Sequence, residues 1–88
     1  MAYNIRYKKS IQRDLKRLDK PEARRILDCI EKELPEKADT IPSLKGPFAG
    51  LRKYRIGDIR VIFAILDQDI LILRIAHRKE AYKKPARP

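Results

Sequence analysis

The spacing of hydrophobic positions changes repeatedly along this chain, and each change marks a predicted element. Tyr3, Ile5 and Tyr7 alternate with polar residues, which places them on one face of a first strand. From Lys8 the period lengthens. Ile11, Leu15 and Leu18 recur at four and three residues, the stripe of an amphipathic helix. Asp19-Lys20-Pro21 interrupts it with a favoured N-cap type and a proline suited to a first helical turn. A second helix is predicted over residues 20–34, with Ala23, Ile26, Leu27, Ile30 and Leu34 inward and Glu22 near the positive end of the dipole. Pro35 is expected to end it. Residues 35–50 hold three prolines and two glycines and read as loop. Period two then returns over residues 51–56, 59–66 and 69–76, joined through Gly57-Asp58 and Asp67-Gln68.

The order β-α-α-β-β-β predicts an α+β domain, a helical hairpin packed on one face of a mainly antiparallel four-stranded sheet. The 88 residues suit one small domain, taken as 1–84, with the Pro-rich 85–88 as a frayed tail.

Parity sorts the strand residues. Tyr54, Ile56, Ile59, Val61, Phe63, Ile65, Leu71, Leu73 and Ile75 are expected to meet the helices. The opposite face then carries Lys53, Arg55, Arg60, Arg74, Ala76 and Arg78, with Ile62, Ala64, Ile70 and Ile72 among them. Apolar area beside a basic patch suits a protein partner.

Charge sharpens this picture. The net charge is +10, and it is uneven: residues 1–44 hold 11 Lys+Arg against 8 Asp+Glu, whereas residues 45–88 hold 11 against 4. The first half reads as a solvated surface of mixed sign, the second as a directed positive field that attracts polyanions, nucleic acid ahead of membrane. Cys29 is the only cysteine, which removes internal disulfides and cysteine metal clusters and fits a reducing cytoplasm. No apolar run is long enough to span a bilayer, and no signal-peptide pattern opens the chain, so a cytoplasmic protein without membrane attachment is expected.

Lys53, Arg55, Arg60 and Arg78 could clamp a phosphodiester, arginine through paired donors and lysine as a compact charge. A solvated basic face is the plain alternative. A lysine crowded by guanidiniums could take a proton from a ribose 2′-hydroxyl while Arg55 and Arg60 stabilise the transition state and Arg78 lies near the leaving oxygen. Tyr82 could stack on a base, hydrogen-bond a substrate, or pack the chain end. His77, the only histidine, is a possible acid or base that leans by parity toward the helix side. Lys45, Arg52, Arg74, Lys79 and Lys83 are candidate RNA-binding cations. The chain has no paired carboxylates, zinc spacing or Gly-rich phosphate loop, so a metal-independent site without cofactor is expected.

Two strings carry a resemblance to a known family: Lys53-Tyr54-Arg55-Ile56-Gly57-Asp58-Ile59-Arg60-Val61-Ile62-Phe63 and His77-Arg78-Lys79-Glu80-Ala81-Tyr82, with Leu44-Lys45-Gly46 and the helical hairpin before them. The chain resembles the RelE branch of the RelE/ParE toxin superfamily. The resemblance implies a toxin of a type II toxin–antitoxin system that cleaves messenger RNA in the ribosomal A site by 2′-hydroxyl attack. It implies catalytic roles for Lys53, Arg55, Arg60, Arg78 and Tyr82, and adds weight to His77. Arg55 stands where the best-known pattern has a second lysine, which leaves Lys53 or Tyr82 as general base. Implied partners are a RelB-like antitoxin, the ribosome and message. The alternatives are a ParE-type inhibitor of DNA gyrase without nuclease activity, and a nucleic-acid-binding module without chemistry.

Overall fold

Asn4–Tyr7 forms β1, and its alternation places Ile5 and Tyr7 against the apolar core while Asn4 and Arg6 stay exposed. The computed structural model describes residues 3–78. Tyr82, Lys79, Lys83 and the tail at 85–88 lie outside the described residues. β2 (Arg52–Ile56), β3 (Ile59–Leu66) and β4 (Asp69–His77) form a meander. The sheet order is β1-β4-β3-β2, with β1 parallel to β4 and the other pairs antiparallel. Gly57 supplies the positive φ, 60°, at the first position of the two-residue β2–β3 turn, as short hairpins require.

Two helices cover one face: α1 (Ile11–Lys16) and α2 (Lys20–Lys37). α2 begins behind Asp19 with Pro21 in its first turn, and it buries Ile26, Ile30 and Leu34 at 3.6-residue spacing. It does not stop at Pro35. The proline removes the one hydrogen bond to the Glu31 carbonyl, but Leu34 and Ala38 are fully buried and hold the last turn on the sheet. The core is completed by Ile11, Leu18, Ile56, Ile59, Val61, Phe63, Ile70, Ile72 and Ile75. Among the described residues no helix is long and apolar enough to cross a membrane.

The expected faces hold on β2, β3 and the second half of β4, and fail on the first half of β4. Ile62 pairs with Arg74, but Phe63 pairs with Ile72, so Leu73 is an extra residue. This bulge shifts the phase by one. Ile70 and Ile72 are therefore buried in the core together with Ile75, while Leu71 and Leu73 are only partly buried. Strict alternation assigns the first half of β4 to the wrong faces because it assumes an unbroken pleat.

Candidate functional site

The face away from the helices carries its cations in rows fixed by strand register. Lys53 lies opposite Ile62, which lies opposite Arg74. In the next row Arg55 lies opposite Arg60, which lies opposite Ala76. Directly opposed residues share a face, so four cations from three strands come together. Arg78 continues the phase of Arg74 and Ala76 beyond β4, and its backbone N–H donates to the Asp58 carbonyl at 2.9 Å. That bond seats Arg78 beside the β2–β3 turn.

Arg60 reaches the same turn. Its Nη1 donates to the Gly57 carbonyl at 2.9 Å, and the residue is only 9% exposed. Arg55 is exposed, and Lys53 and Arg74 are half-buried. Among the described residues, the Arg74 Nε is buried and has no hydrogen-bond acceptor. A buried donor left without an acceptor is costly, so this position suits an incoming oxygen anion. Beyond the cations, the same face turns apolar through Ala64, Leu71 and Leu66, the last 53% exposed.

The remaining candidates fall elsewhere. His77 pairs with Ile59, a core residue, and so shares the helix side of the sheet at its exposed end. Arg52 pairs with Phe63 on the helix side, and its Nη1 donates to the Ala38 and Ile41 carbonyls at 3.3 and 2.6 Å. It anchors the chain leaving α2. Lys45 is exposed in the loop before β2. Among the described residues no three His, Cys, Asp or Glu side chains cluster to hold a metal.

Two features escape pattern reading. Asp14 Oδ2 accepts the Ile75 backbone N–H at 2.9 Å, taking the place of β1, whose pairing with β4 ends at Ile72. The signal was present: Asp14 sits three residues after Ile11 and four before Leu18, within the apolar stripe. Tyrosines on the helix side also each donate to a carboxylate on or just after α2. Tyr7 bonds Glu31 at 3.0 Å, Tyr54 bonds Glu33 at 2.9 Å, and Tyr3 bonds Asp39. Burial, then the Glu33 hydrogen bond, pushes the Tyr54 hydroxyl up to about 12. Burial, then Glu31, raises Tyr7 further. The Tyr54 hydrogen bond, then Lys37, lowers Glu33. These pairs fasten α2 to the sheet and leave the cationic face to other work.

Comparisons place this geometry among known proteins. A family model described as the ParE toxin of the type II toxin–antitoxin system parDE matches residues 5–82. No curated protein matches the sequence. The toxin–antitoxin complex RelBE2 from Mycobacterium tuberculosis contains a chain with a TM-score of 0.82 and 25% identity, covering 89% of this chain and 100% of that one. The archaeal RelE–RelB complex from Pyrococcus horikoshii gives a TM-score of 0.64 and 31% identity, covering 92% and 100%. A chain of the chromosomal ParDE system of Pseudomonas aeruginosa shares the fold, with a TM-score of 0.68, 18% identity and coverage of 86% and 96%.

Proposed function

The chain belongs to the ParE toxin family of type II toxin–antitoxin systems, within the RelE/ParE superfamily, and from that premise we propose that it is a ribosome-dependent endoribonuclease. The observation that carries this reading is the Arg55–Arg60 pair. Two guanidiniums directly opposed across a ladder repel each other, and like charges in that register are destabilising. A bound phosphate between them relieves the repulsion.

In the proposed reaction the 2′-oxygen of a message ribose forms a bond to the adjacent phosphorus. The bond from phosphorus to the 5′-oxygen of the next nucleotide breaks. The 2′-proton passes to Lys53 or Tyr82, and the leaving oxygen takes up a proton, giving a 2′,3′-cyclic phosphate and a 5′-hydroxyl. Arg55, Arg60 and Arg78 stabilise the charge that grows on the phosphoryl oxygens. The site offers no conventional acid–base pair, so the ribosome supplies the missing advantage by holding the RNA in line, which can be worth several kcal/mol.

The RelE neighbours were solved as complexes with RelB. We assign this chain a RelB-like antitoxin that brings acidic and apolar residues. An acidic segment complements the net charge of +10, and the apolar part fits Leu66, Leu71 and Ala64. Purified toxin incubated with programmed ribosomes tests the nuclease reading: new 5′ ends within the A-site codon support it. DNA breaks that depend on gyrase, with message intact, favour the ParE alternative.

A further inference from the structure

Arg6 and Arg74 border the same apolar strip, on the face away from the helices, and their surroundings differ. Ala64 lies opposite Leu71, which lies opposite Arg6; in the next row Leu66 lies opposite Asp69, which lies opposite Asn4. The Arg6 Nε holds the Asp69 Oδ2 at 3.1 Å. Two residues along β3 in the other direction, Ile62 lies opposite Arg74. Among the described residues no carboxylate forms an ion pair with Arg74, and its buried Nε has no acceptor. A charged donor desolvated in this way is costly until an anion reaches it.

What surrounds Arg74 selects the kind of anion. On one side, toward the β2–β3 turn, lie Arg55, Arg60 and Arg78. On the other side the rows run through Ala64 and Leu71 to Leu66, the large hydrophobic side chain that the described residues leave exposed. Every link of a nucleic-acid backbone carries a charge, so such a chain gains nothing by crossing the apolar rows. A peptide that carries one carboxylate followed by apolar side chains fits both parts, and the net charge of +10 draws in an acidic segment. Rows two residues apart on a strand are about 7 Å apart, so the apolar side chains belong about 7 and 14 Å from the carboxylate. An extended segment meets this spacing with apolar residues two and four positions from its acid.

We propose that Arg74 is a carboxylate socket for the antitoxin: its guanidinium holds one acid of an extended acidic–apolar segment whose next side chains lie on Ala64, Leu71 and Leu66. This rests on the assignment of an antitoxin partner and not on the nuclease activity. It removes Arg74 from the RNA-binding set and divides the face between two ligands, phosphate on the Arg55–Arg60 row and peptide on the Arg74 row.

The probe is a display library of random dodecapeptides selected on the purified wild-type protein. Enriched peptides should carry an acid with Leu, Ile, Val or Phe two and four positions away. Each is then measured in a double-mutant cycle, with its acid intact or replaced by the amide, on wild type and on Arg74→Met, after thermal melts establish folding. Arg74→Met keeps an apolar stem and removes the donor. On wild type the amide peptide should bind about tenfold or more weakly, whereas on Arg74→Met the two peptides should bind equally, because the cycle isolates their one shared contact. Arg24→Gln, the same change in charge on the exposed surface of α2, should alter affinity by less than about twofold. No enrichment, enriched peptides without an acid, or losses that simply add in the cycle would overturn the proposal. So would a 2′-O-methyl RNA oligonucleotide that loses as much affinity on Arg74→Met as the peptides do, since Arg74 would then serve RNA. If Arg74→Met unfolds, Arg74→Lys keeps the charge without the Nε–H donor, and the same loss of coupling is expected. No cleavage is read, so a wild type that cuts no message removes the nuclease reading and leaves this result to stand or fall separately.

Discussion

Arg55 and Arg60 face each other directly across the β2–β3 ladder, and Arg60 bends back to the Gly57 carbonyl rather than toward an acid. Two like charges in this register destabilise a sheet by about 0.2–1 kcal/mol. Arg55→Gln should therefore raise the stability of the isolated toxin by about that amount, while cleavage of ribosome-bound message falls by on the order of a hundredfold. Thermal melts and single-turnover cleavage of the same preparation check both halves. A variant that gains nothing in stability would show that the two guanidiniums already avoid one another.

Arg60 and Arg78 should separate under mutation. Arg78 is tied to the turn by its backbone N–H, which Arg78→Ala preserves. Its rate should drop about a hundredfold with unchanged stability. The Arg60 side chain is itself the anchor, so Arg60→Ala should lose activity and also about 0.5–1.5 kcal/mol of stability. Urea unfolding of the two variants distinguishes the cases.

Most of the fold was legible because the apolar periods were clean. The stripe of α2 and the alternation of β2 and β3 each follow from residues whose burial the structure bears out, such as Ile26, Ile30, Val61 and Phe63. What was illegible came from events that no local period records. The bulge at Leu73 moves Ile70 and Ile72 into the core, and Pro35 is carried inside α2 by the burial of Leu34 and Ala38. The cationic rows survived the bulge because Lys53, Arg55 and Arg60 lie on β2 and β3, and because Arg74 and Arg78 follow it in the phase of Ala76. Arg52 was harder: its charge suggested a ligand, but its guanidinium is held by two backbone carbonyls that become neighbours only when α2 packs on the sheet.

Asp14 should matter to stability more than its place on a short surface helix suggests. Asp14→Ala leaves the Ile75 N–H without an acceptor at the open edge of β4. The expected loss is about 1.5–3 kcal/mol, the range for a hydrogen bond to a charged group. Hydrogen exchange at Ile75 should accelerate in this variant. Normal stability together with normal protection of that amide would mean that water replaces the carboxylate at no cost.

The tyrosine–carboxylate pairs predict an alkaline limit. The Tyr54 hydroxyl is raised from 10.0 to about 12 in the folded protein, so the folded state holds its proton more tightly than the unfolded chain. The resulting stabilisation is complete below about pH 10 and is lost as pH rises toward about 12. Tyr7 shifts in the same direction. Urea midpoints should fall across that window, and Tyr54→Phe should flatten the fall. An unchanged profile in Tyr54→Phe would remove this pair from the account.

The cationic face is the centre of the account, and one measurement tests it most directly. Purified wild-type protein is added to ribosomes carrying a defined message with an empty A site, to the same message free in solution, and to gyrase with supercoiled DNA. The predicted result is cleavage within the A-site codon on the ribosome, leaving a 2′,3′-cyclic phosphate, with the free message nearly intact and no gyrase-dependent break. Intact message on the ribosome together with gyrase-dependent DNA breaks would contradict it.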